Sequence, residues 1–172
     1  IKNNTLLEVT NNVPVHKGDV FFIESGTLHA IGKGILIAEI QQNSNTTYRV
    51  YDYGRVGKDG KPRELHIEKA IDVTELCPPK YDTKPQGKPV KIDGGEETLL
   101  RSCEYFDVHK IKVSGTVTLD ADEKSFMSVL GLDGSGKIGE LDAKKGDSFF
   151  VPAGYGRFTL TGNLEVILSD IV

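Results

Sequence analysis

Residues 18–29 read GDVFFIESGTLH, and residues 146–157 read GDSFFVPAGYGR, so the same pattern occurs twice in this chain. The offset is constant at 146 − 18 = 128 positions, and it continues without a gap to Ile40, which falls on Leu168. Each copy contains a glycine, a short apolar run, a second glycine and a further apolar run, which is typical of strands joined by a tight turn. We therefore predict two equivalent β-units.

The remainder of the chain also favours β-structure, because it has nineteen glycines, no tryptophan and many short apolar alternations. One stretch has helical spacing, since Ile67, Ala70 and Ile71 would lie on one face of a helix. We predict a mainly β protein with one short helix near residues 65–73. The predicted strands are residues 6–10, 19–23, 35–40, 48–53, 105–113, 126–132, 148–151 and 164–168.

Prolines concentrate between the two copies, where they interrupt any β-ladder. We predict a linker at residues 77–89 that joins a first unit at residues 1–76 to a second unit at residues 90–172. An ordered surface loop within one domain is the alternative. The prolines in question are Pro78, Pro79, Pro85 and Pro89.

The repeat also predicts that the first unit is incomplete. The second unit begins near Glu97, so the counterpart of that position lies at 97 − 128 = −31, before Ile1. We expect a missing N-terminal part, or another polypeptide chain, to complete the first barrel.

Charge and composition exclude several classes of function. The formal net charge is −4, and the 21 basic and 25 acidic residues are interspersed, without the concentrated basic face of a nucleic-acid-binding protein. The longest apolar runs are far shorter than the roughly 20 residues that span a bilayer, so no membrane partner is predicted. Cys77 and Cys103 have no CxxC partner and are typical of free thiols. The composition therefore predicts a cytoplasmic protein.

Residues 39–55 read EIQQNSNTTYRVYDYGR, which is an unusually polar run for a barrel strand. The run combines carboxylates, amides, hydroxyls, three tyrosines and two arginines, and this mixture suits a pocket for a polyhydroxylated, anionic ligand. The planar fork of arginine matches phosphate or the oxygen pair of an enediolate. A polar edge strand followed by a turn is the alternative. His16, His66 and His109 lack a comparable setting, and we expect them to be surface or packing residues.

The repeated pattern resembles G-x5-P-x-G-x2-H, the second signature motif of the cupins, which are small double-stranded β-helix barrels of the jelly-roll type. The first copy has Glu24 at the proline position and His29 at the position of the metal-binding histidine. The second copy keeps Pro152 but has Arg157 at the histidine position. Because arginine offers no lone pair to a metal ion, the resemblance implies a metal site in the first barrel and a degenerate second barrel.

A more specific resemblance lies in GTLHA at residues 26–30, EIQQNSNTTYRVYDY at residues 39–53 and LHIEKA at residues 65–70. These stretches resemble the short bacterial form of the type I mannose-6-phosphate isomerases, and the chain resembles the C-terminal part of that family. The resemblance implies a zinc-dependent enzyme of carbohydrate metabolism. Such an enzyme interconverts the aldose mannose 6-phosphate and the ketose fructose 6-phosphate through an enediol.

Carried over residue by residue, the resemblance implies that His29 is a zinc ligand and that Arg49 is the active-site arginine. Glu39 is a candidate acid–base carboxylate. The family's other zinc ligands precede the matching stretch, so we expect this chain alone to bind zinc weakly and to lack isomerase activity. The candidates for contacts with the small-molecule sugar phosphate are Tyr51, Asp52 and Arg55.

Two other functions stay open at this point. One is a non-catalytic sugar-binding or regulatory cupin, in which the metal and the pocket serve sensing. The other is a different metal-dependent cupin enzyme, such as a dioxygenase or an epimerase. A dioxygenase would hold a redox-active iron, whereas an isomerase needs only a redox-silent metal, so metal analysis distinguishes the two.

Overall fold

The computed structural model describes residues 1, 3 and 5–172 of the 172-residue chain. The chain consists of two compact units, Ile1–Asp82 and Thr83–Val172. Their boundary lies between Pro79 and Pro85, within the proline-rich stretch. Among the described residues, no helix is long and apolar enough to cross a membrane.

The second unit is an antiparallel β-structure. Its strands pair in the order β1-β2-β3-β8-β5-β6, while β4 also pairs with β8 and β7 also pairs with β5. The prediction of a mainly β protein is confirmed, although the strands at 90–92, 95–102, 116–121 and 141–144 were not predicted. The strands are β1 Val90–Ile92, β2 Gly95–Ser102, β3 Asp107–Val113, β4 Thr116–Ala121, β5 Met127–Ile138, β6 Leu141–Lys144, β7 Ser148–Val151 and β8 Gly156–Asp170.

Strand β8 organises this unit, because it is 15 residues long and pairs with three other strands. Along one edge, its first part pairs with β4 and its second part pairs with β3. Along the other edge it pairs with β5. Gly162 lies between the two parts with a φ of +98°, and a Cβ there would come 2.7 Å from the Cα of Gly136. A side chain at Gly162 would therefore push β5 away from β8.

The core of the second unit follows the two-residue period of its strands. In β3, Ile111 and Val113 are fully buried, whereas Lys112 between them is exposed. The face of β3 that carries Ile111 also carries Asp107 and His109, so polar side chains continue the row of core residues. The core consists of Ile111, Val113, Val117, Ala121, Val129, Ile138, Ala143, Val151, Phe158, Leu160, Leu164, Val166 and Leu168.

The first unit forms a 3-10 helix, Leu6–Val9, and an α-helix, α1, at Ile67–Val73. The helix predicted near residues 65–73 is confirmed. The strands predicted in this unit are wrong: residues 6–10 begin a 3-10 helix, and residues 19–23, 35–40 and 48–53 form no ladder in the described part of the chain. A strand needs a hydrogen-bonded partner as well as an apolar pattern. In the described part of the first unit, the β-pairing is an isolated bridge between Val56 and Pro62.

The helix α1 is tied to the loop that carries the first copy of the repeat. The backbone N–H of Glu75, just after the helix, donates to the carbonyl of Gly26 at 3.0 Å. Gly26 has a φ of +88°, and a Cβ there would lie 2.6 Å from the carbonyl oxygen of Val73. This close approach requires glycine at residue 26.

The two copies of the repeat share their turn geometry, even though only the second copy forms strands. In the first copy, Asp19 Oδ2 accepts the backbone N–H of His16 at 2.8 Å, and in the second copy, Asp147 Oδ2 accepts the N–H of Lys144 at 3.0 Å. The turns of the repeat are therefore formed by local interactions. The glycines with positive φ match in pairs: +97° and +89° at Gly18 and Gly146, +88° and +73° at Gly26 and Gly154, and +78° and +98° at Gly34 and Gly162.

Candidate functional site

Arg49 is held against the segment that precedes helix α1. Its backbone N–H donates to His66 Nδ1 at 3.1 Å, and its carbonyl accepts the N–H of His66 at 2.7 Å. Its side chain donates from Nη1 to the carbonyl of Glu64 at 3.2 Å. Val50, the next residue, is one of the buried apolar side chains of the first unit. Hydrogen bonds to His66 thus hold both the backbone N–H and the carbonyl of Arg49. Arg49 is the residue that the family resemblance places in the active site.

Asp52 and Arg63 form a two-point ion pair in which Arg63 donates from Nε to Oδ2 at 2.7 Å and from Nη2 to Oδ1. These hydrogen bonds hold the pKa of Asp52 below its ordinary value of 3.8, against a smaller opposing effect of burial. The positive charges of Arg63, Arg49 and Arg55 lower this pKa further. We call Arg49, Asp52, Arg55 and Arg63 the arginine cluster. Asp52 is therefore a carboxylate that orients arginines rather than a proton carrier near neutral pH.

Aromatic rings line the same segment. The rings of Tyr51 and Tyr53 meet edge to face with their centroids 4.9 Å apart. The guanidinium of Arg55 lies over the ring of Tyr53, 5.4 Å from its centroid. Tyr53 has a φ of +54°, within a turn that the N–H of Arg55 closes on the carbonyl of Asp52 at 2.9 Å. A non-glycine residue in this conformation costs free energy, and such residues occur preferentially at functional sites.

His29 is exposed, and its Nδ1 lies 2.8 Å from the carbonyl oxygen of Thr27. Because a carbonyl only accepts hydrogen bonds, Nδ1 carries the proton in the neutral ring, and Nε2 presents its lone pair to solvent. This arrangement prepares histidine for a metal ion. However, among the described residues His29 belongs to no group of three or more histidine, cysteine, aspartate or glutamate side chains that could hold a metal ion. The described chain therefore does not complete at His29 the set of three or four ligands that a zinc site needs.

The other predicted site residues divide into two groups. Arg49, Asp52 and Arg55 come together in the arginine cluster, and the ring of Tyr51 meets that of Tyr53 edge to face. Glu39 is exposed, and the described chain gives it no hydrogen bond to this cluster. In the second unit, Arg157 stands at the position that matches His29, and its Nε lies 3.7 Å from Asp120 Oδ2 in an exposed ion pair.

Sequence reasoning missed Arg63 and the contact of His66 with Arg49. Arg63 lies outside the polar run at residues 39–55, in the returning arm of a turn, so its approach to Asp52 depends on the fold of that turn. The arm is marked by the N–H of Gly57, which donates to the carbonyl of Lys61 at 2.7 Å. The sequence signal for such a return is the turn-forming segment GKDG at residues 57–60.

Residues 95–171 match the family model for the cupin domain of mannose-6-phosphate isomerase. The mannose-6-phosphate isomerase ManA of Bacillus subtilis is 42% identical over 168 residues, which cover 95% of this chain and 52% of that protein. This chain is similar to the C-terminal part of the mannose-6-phosphate isomerases. This similarity confirms the family resemblance of the sequence.

Two further similarities agree with the family. The mannose-6-phosphate isomerase of Streptococcus mutans is 40% identical over 161 residues, covering 91% of this chain and 50% of that protein. The crystal structure of the mannose 6-phosphate isomerase from Bacillus subtilis matches with a TM-score of 0.64 and 36% identity, over 74% of this chain and 41% of that one. The predicted cupin fold is thereby confirmed. The chain spans about half the length of the curated relatives it matches and corresponds to their C-terminal part.

Proposed function

We propose that this chain is part of an isomerase that interconverts mannose 6-phosphate and fructose 6-phosphate, and that it binds the sugar phosphate at the arginine cluster. The observation that carries the proposal is the charge of this cluster, in which three guanidinium groups act on the single carboxylate of Asp52. The cluster therefore carries an excess of positive charge. A phosphate monoester, with a charge of about −2 near neutral pH, complements that excess.

The contacts within the cluster indicate different roles for its three arginines. Arg63 uses Nε and Nη2 on Asp52, so it is committed to holding the cluster together. Arg49 uses Nη1 on a backbone carbonyl, which leaves its Nε and Nη2 for a ligand. Arg55 lies over a tyrosine ring, which leaves the edge of its guanidinium for a ligand. We assign the phosphate to Arg55 and the reacting oxygens of the sugar to Arg49.

The reaction requires a proton transfer and no oxidant. The C2–H bond of the aldose breaks, a C1–H bond forms, and a hydroxyl proton moves from O2 to O1, so that atoms and electrons balance. The enediolate formed between these steps carries negative charge on oxygen, and Arg49 is placed to stabilise that charge. We propose Glu39 as the carboxylate that moves the proton.

A complete zinc site at His29 is proposed for the larger protein of which this chain is a part. Bound zinc would position and polarise the substrate oxygens. His29, with its proton held on Nδ1, would supply one ligand, and residues outside this sequence would supply the others. We therefore propose that this chain alone binds zinc weakly at His29 and does not turn over the sugar phosphate.

The first unit has apolar side chains that require cover from other residues. In the described part of this unit, Val50 and Ala70 are the buried apolar residues. We propose that an upstream segment, or another chain, pairs with residues 19–37 and completes the first barrel. The side chains that such a partner would cover are Phe21, Ile23, Leu28, Ile31, Ile35, Leu36 and Ile37, which are all exposed.

The test uses a polypeptide that joins this chain to an upstream half like that of its relatives. Mannose 6-phosphate is supplied in D2O, and NMR follows both the appearance of fructose 6-phosphate and deuterium exchange at the migrating proton. We expect conversion by the joined polypeptide and none by residues 1–172 alone. If the zinc-loaded polypeptide binds mannose 6-phosphate without converting it, the isomerase proposal fails and a non-catalytic sugar-binding cupin is favoured.

A further inference from the structure

A second group of metal-binding side chains lies in the second unit, within β3 and β8. Asp107 and His109 project from the same face of β3, two residues apart, and Asp170 in β8 pairs in register with Asp107. One oxygen or nitrogen from each of these three residues lies within 4.8 Å of the other two. We call Asp107, His109 and Asp170 the β3–β8 cluster.

The β3–β8 cluster continues the apolar interior of the barrel. Ile111 and Val113 follow on the same face of β3, and Leu168 precedes Asp170 on the same face of β8. All three of these apolar residues are buried. The carboxylates and the imidazole thus stand at one end of the core, where water is partly excluded and their charges are poorly solvated.

Three atoms of the cluster are buried without a hydrogen bond: Asp107 Oδ1, His109 Nδ1 and Asp170 Oδ1. Buried polar atoms nearly always have a partner, so the unpaired oxygens of Asp107 and Asp170, which pair in register across β3 and β8, indicate a missing ligand. Glu97 Oε1 lies 2.9 Å from His109 Nδ1, outside hydrogen-bond geometry, and adds a third negative group. A cation would satisfy these acceptor atoms and offset the negative charge.

The electrostatics of Asp170 agree with this geometry. Burial raises the pKa of Asp170, the charge of His109 lowers it, and the negative charges of Asp107 and Asp122 raise it again. The groups that face Asp170 thus include two carboxylates from other parts of the chain and one imidazole.

We propose that Asp107, His109 and Asp170 bind a divalent first-row transition-metal ion, as a site separate from His29. One imidazole nitrogen and two carboxylate oxygens form a donor set that suits Zn²⁺ or its first-row neighbours, whereas Mg²⁺ and Ca²⁺ prefer oxygen alone. The two carboxylates balance the charge of the ion. Ligand atoms about 2.1 Å from a metal ion lie at most about 4.2 Å apart, so small side-chain rotations close the set.

The consequence of binding is structural. Asp107 and His109 belong to β3 and Asp170 to the end of β8, so the ion would join the two strands where the ladder ends. An ion that binds only the folded state raises the temperature of unfolding. The site does not depend on the proposed isomerase activity, because His29 and the arginine cluster lie in the other unit.

The experiment titrates ZnCl₂ into metal-stripped protein of residues 1–172 by calorimetry, at about pH 7.5. We expect one saturable site per chain and a rise in the temperature of unfolding of the second unit. Asp170→Asn and His109→Gln should each weaken zinc binding by at least about tenfold, as loss of a ligand requires. Asp107→Asn provides a third variant in case either of these fails to fold, and circular dichroism without zinc verifies folding.

Two controls separate this site from others. His16→Gln removes a histidine of the first unit whose side chain is 81% exposed, and Asp120→Asn removes an exposed carboxylate that contacts Arg157. Neither change should alter the zinc affinity of the β3–β8 cluster. The proposal is overturned if zinc does not saturate, if folded Asp170→Asn binds as tightly as the wild type, or if His29→Gln abolishes binding.

Discussion

Arg49 and His66 exchange two hydrogen bonds, one from the N–H of Arg49 to His66 Nδ1 at 3.1 Å and one from the N–H of His66 to the carbonyl of Arg49 at 2.7 Å. An accepting Nδ1 carries no proton, so the neutral ring has its proton on Nε2. The imidazole of His66 therefore helps to fix the position of the Arg49 backbone. This role makes His66 a positioning residue for the proposed active site.

Replacing His66 with alanine should lower kcat by about tenfold to a hundredfold in the joined polypeptide, because a misplaced guanidinium stabilises the transition state less well. His66→Asn should restore much of the loss, since its side-chain oxygen can accept the same N–H. Steady-state kinetics with mannose 6-phosphate provides the measurement. His16→Ala is the control, because its side chain is 81% exposed. Equal activity in the alanine and asparagine variants would remove His66 from this role.

The Asp52 carboxylate, which pairs with Arg63, should become protonated only at acid pH. The pKa of Asp52 lies below 3.8 in the folded protein because Arg63 binds its ionised form. A carboxyl with a lowered pKa stabilises the fold above its unfolded value of about 3.8, and this stabilisation is lost as the pH falls through the lower, folded value. Carbon-detected NMR should show a midpoint for Asp52 below 3.8.

Arg63→Gln should raise that midpoint towards the ordinary value, because the strongest partner of the carboxylate is removed. Asp72→Asn serves as the control, since Asp72 is exposed on helix α1. The same midpoint for Asp52 in the wild type and in Arg63→Gln would show that the ion pair does not form in solution.

Gly26→Ala should disrupt the contact between the His29 loop and the end of helix α1. The new Cβ would lie 2.6 Å from the carbonyl of Val73, at a φ of +88°. We expect a destabilisation of about 1–3 kcal/mol, and a loss of hydrogen-exchange protection at the N–H of Glu75. Gly18→Ala is the matched control, because it has a similar φ of +97° but no atom within 4 Å of the new Cβ. Equal effects of the two changes would show that the close contact is unimportant.

The second unit shows what the sequence could predict about the fold. Residues 148–151 were predicted as a strand and form β7, Ser148–Val151, because their apolar pattern lies between two turns. The prediction for the last strand, residues 164–168, recovered only part of β8. In sequence, Gly156 and Gly162 resemble turn residues. In the structure, β8 begins at Gly156 and continues through Gly162.

The first unit shows why an apolar pattern does not suffice. The turns at Gly18 and Gly26 are local, and they match those of the second copy. The strands between them need partners from elsewhere, and the described chain offers none. Leu36 is consequently 87% exposed, in a stretch that was predicted to be a strand.

The candidate sites follow the same rule. Arg49, Asp52 and Arg55 are close in sequence, and a polar run revealed them together. Arg63 joins them through a turn, and Asp170 joins His109 through strand pairing across 61 positions, 170 − 109 = 61. His109 was expected to be a surface or packing residue, because nothing near it in sequence indicates a carboxylate in β8.

The steady-state kinetics of Arg49→Lys in the joined polypeptide test most directly whether Arg49 stabilises the enediolate. Lysine keeps the positive charge but loses the planar, two-point donor geometry. We predict that kcat falls by roughly a hundredfold to a thousandfold while KM for mannose 6-phosphate and the zinc content stay nearly unchanged, as on removal of one preorganised donor to an oxyanion. Wild-type values of both kcat and KM would contradict the assignment of Arg49 to the active site.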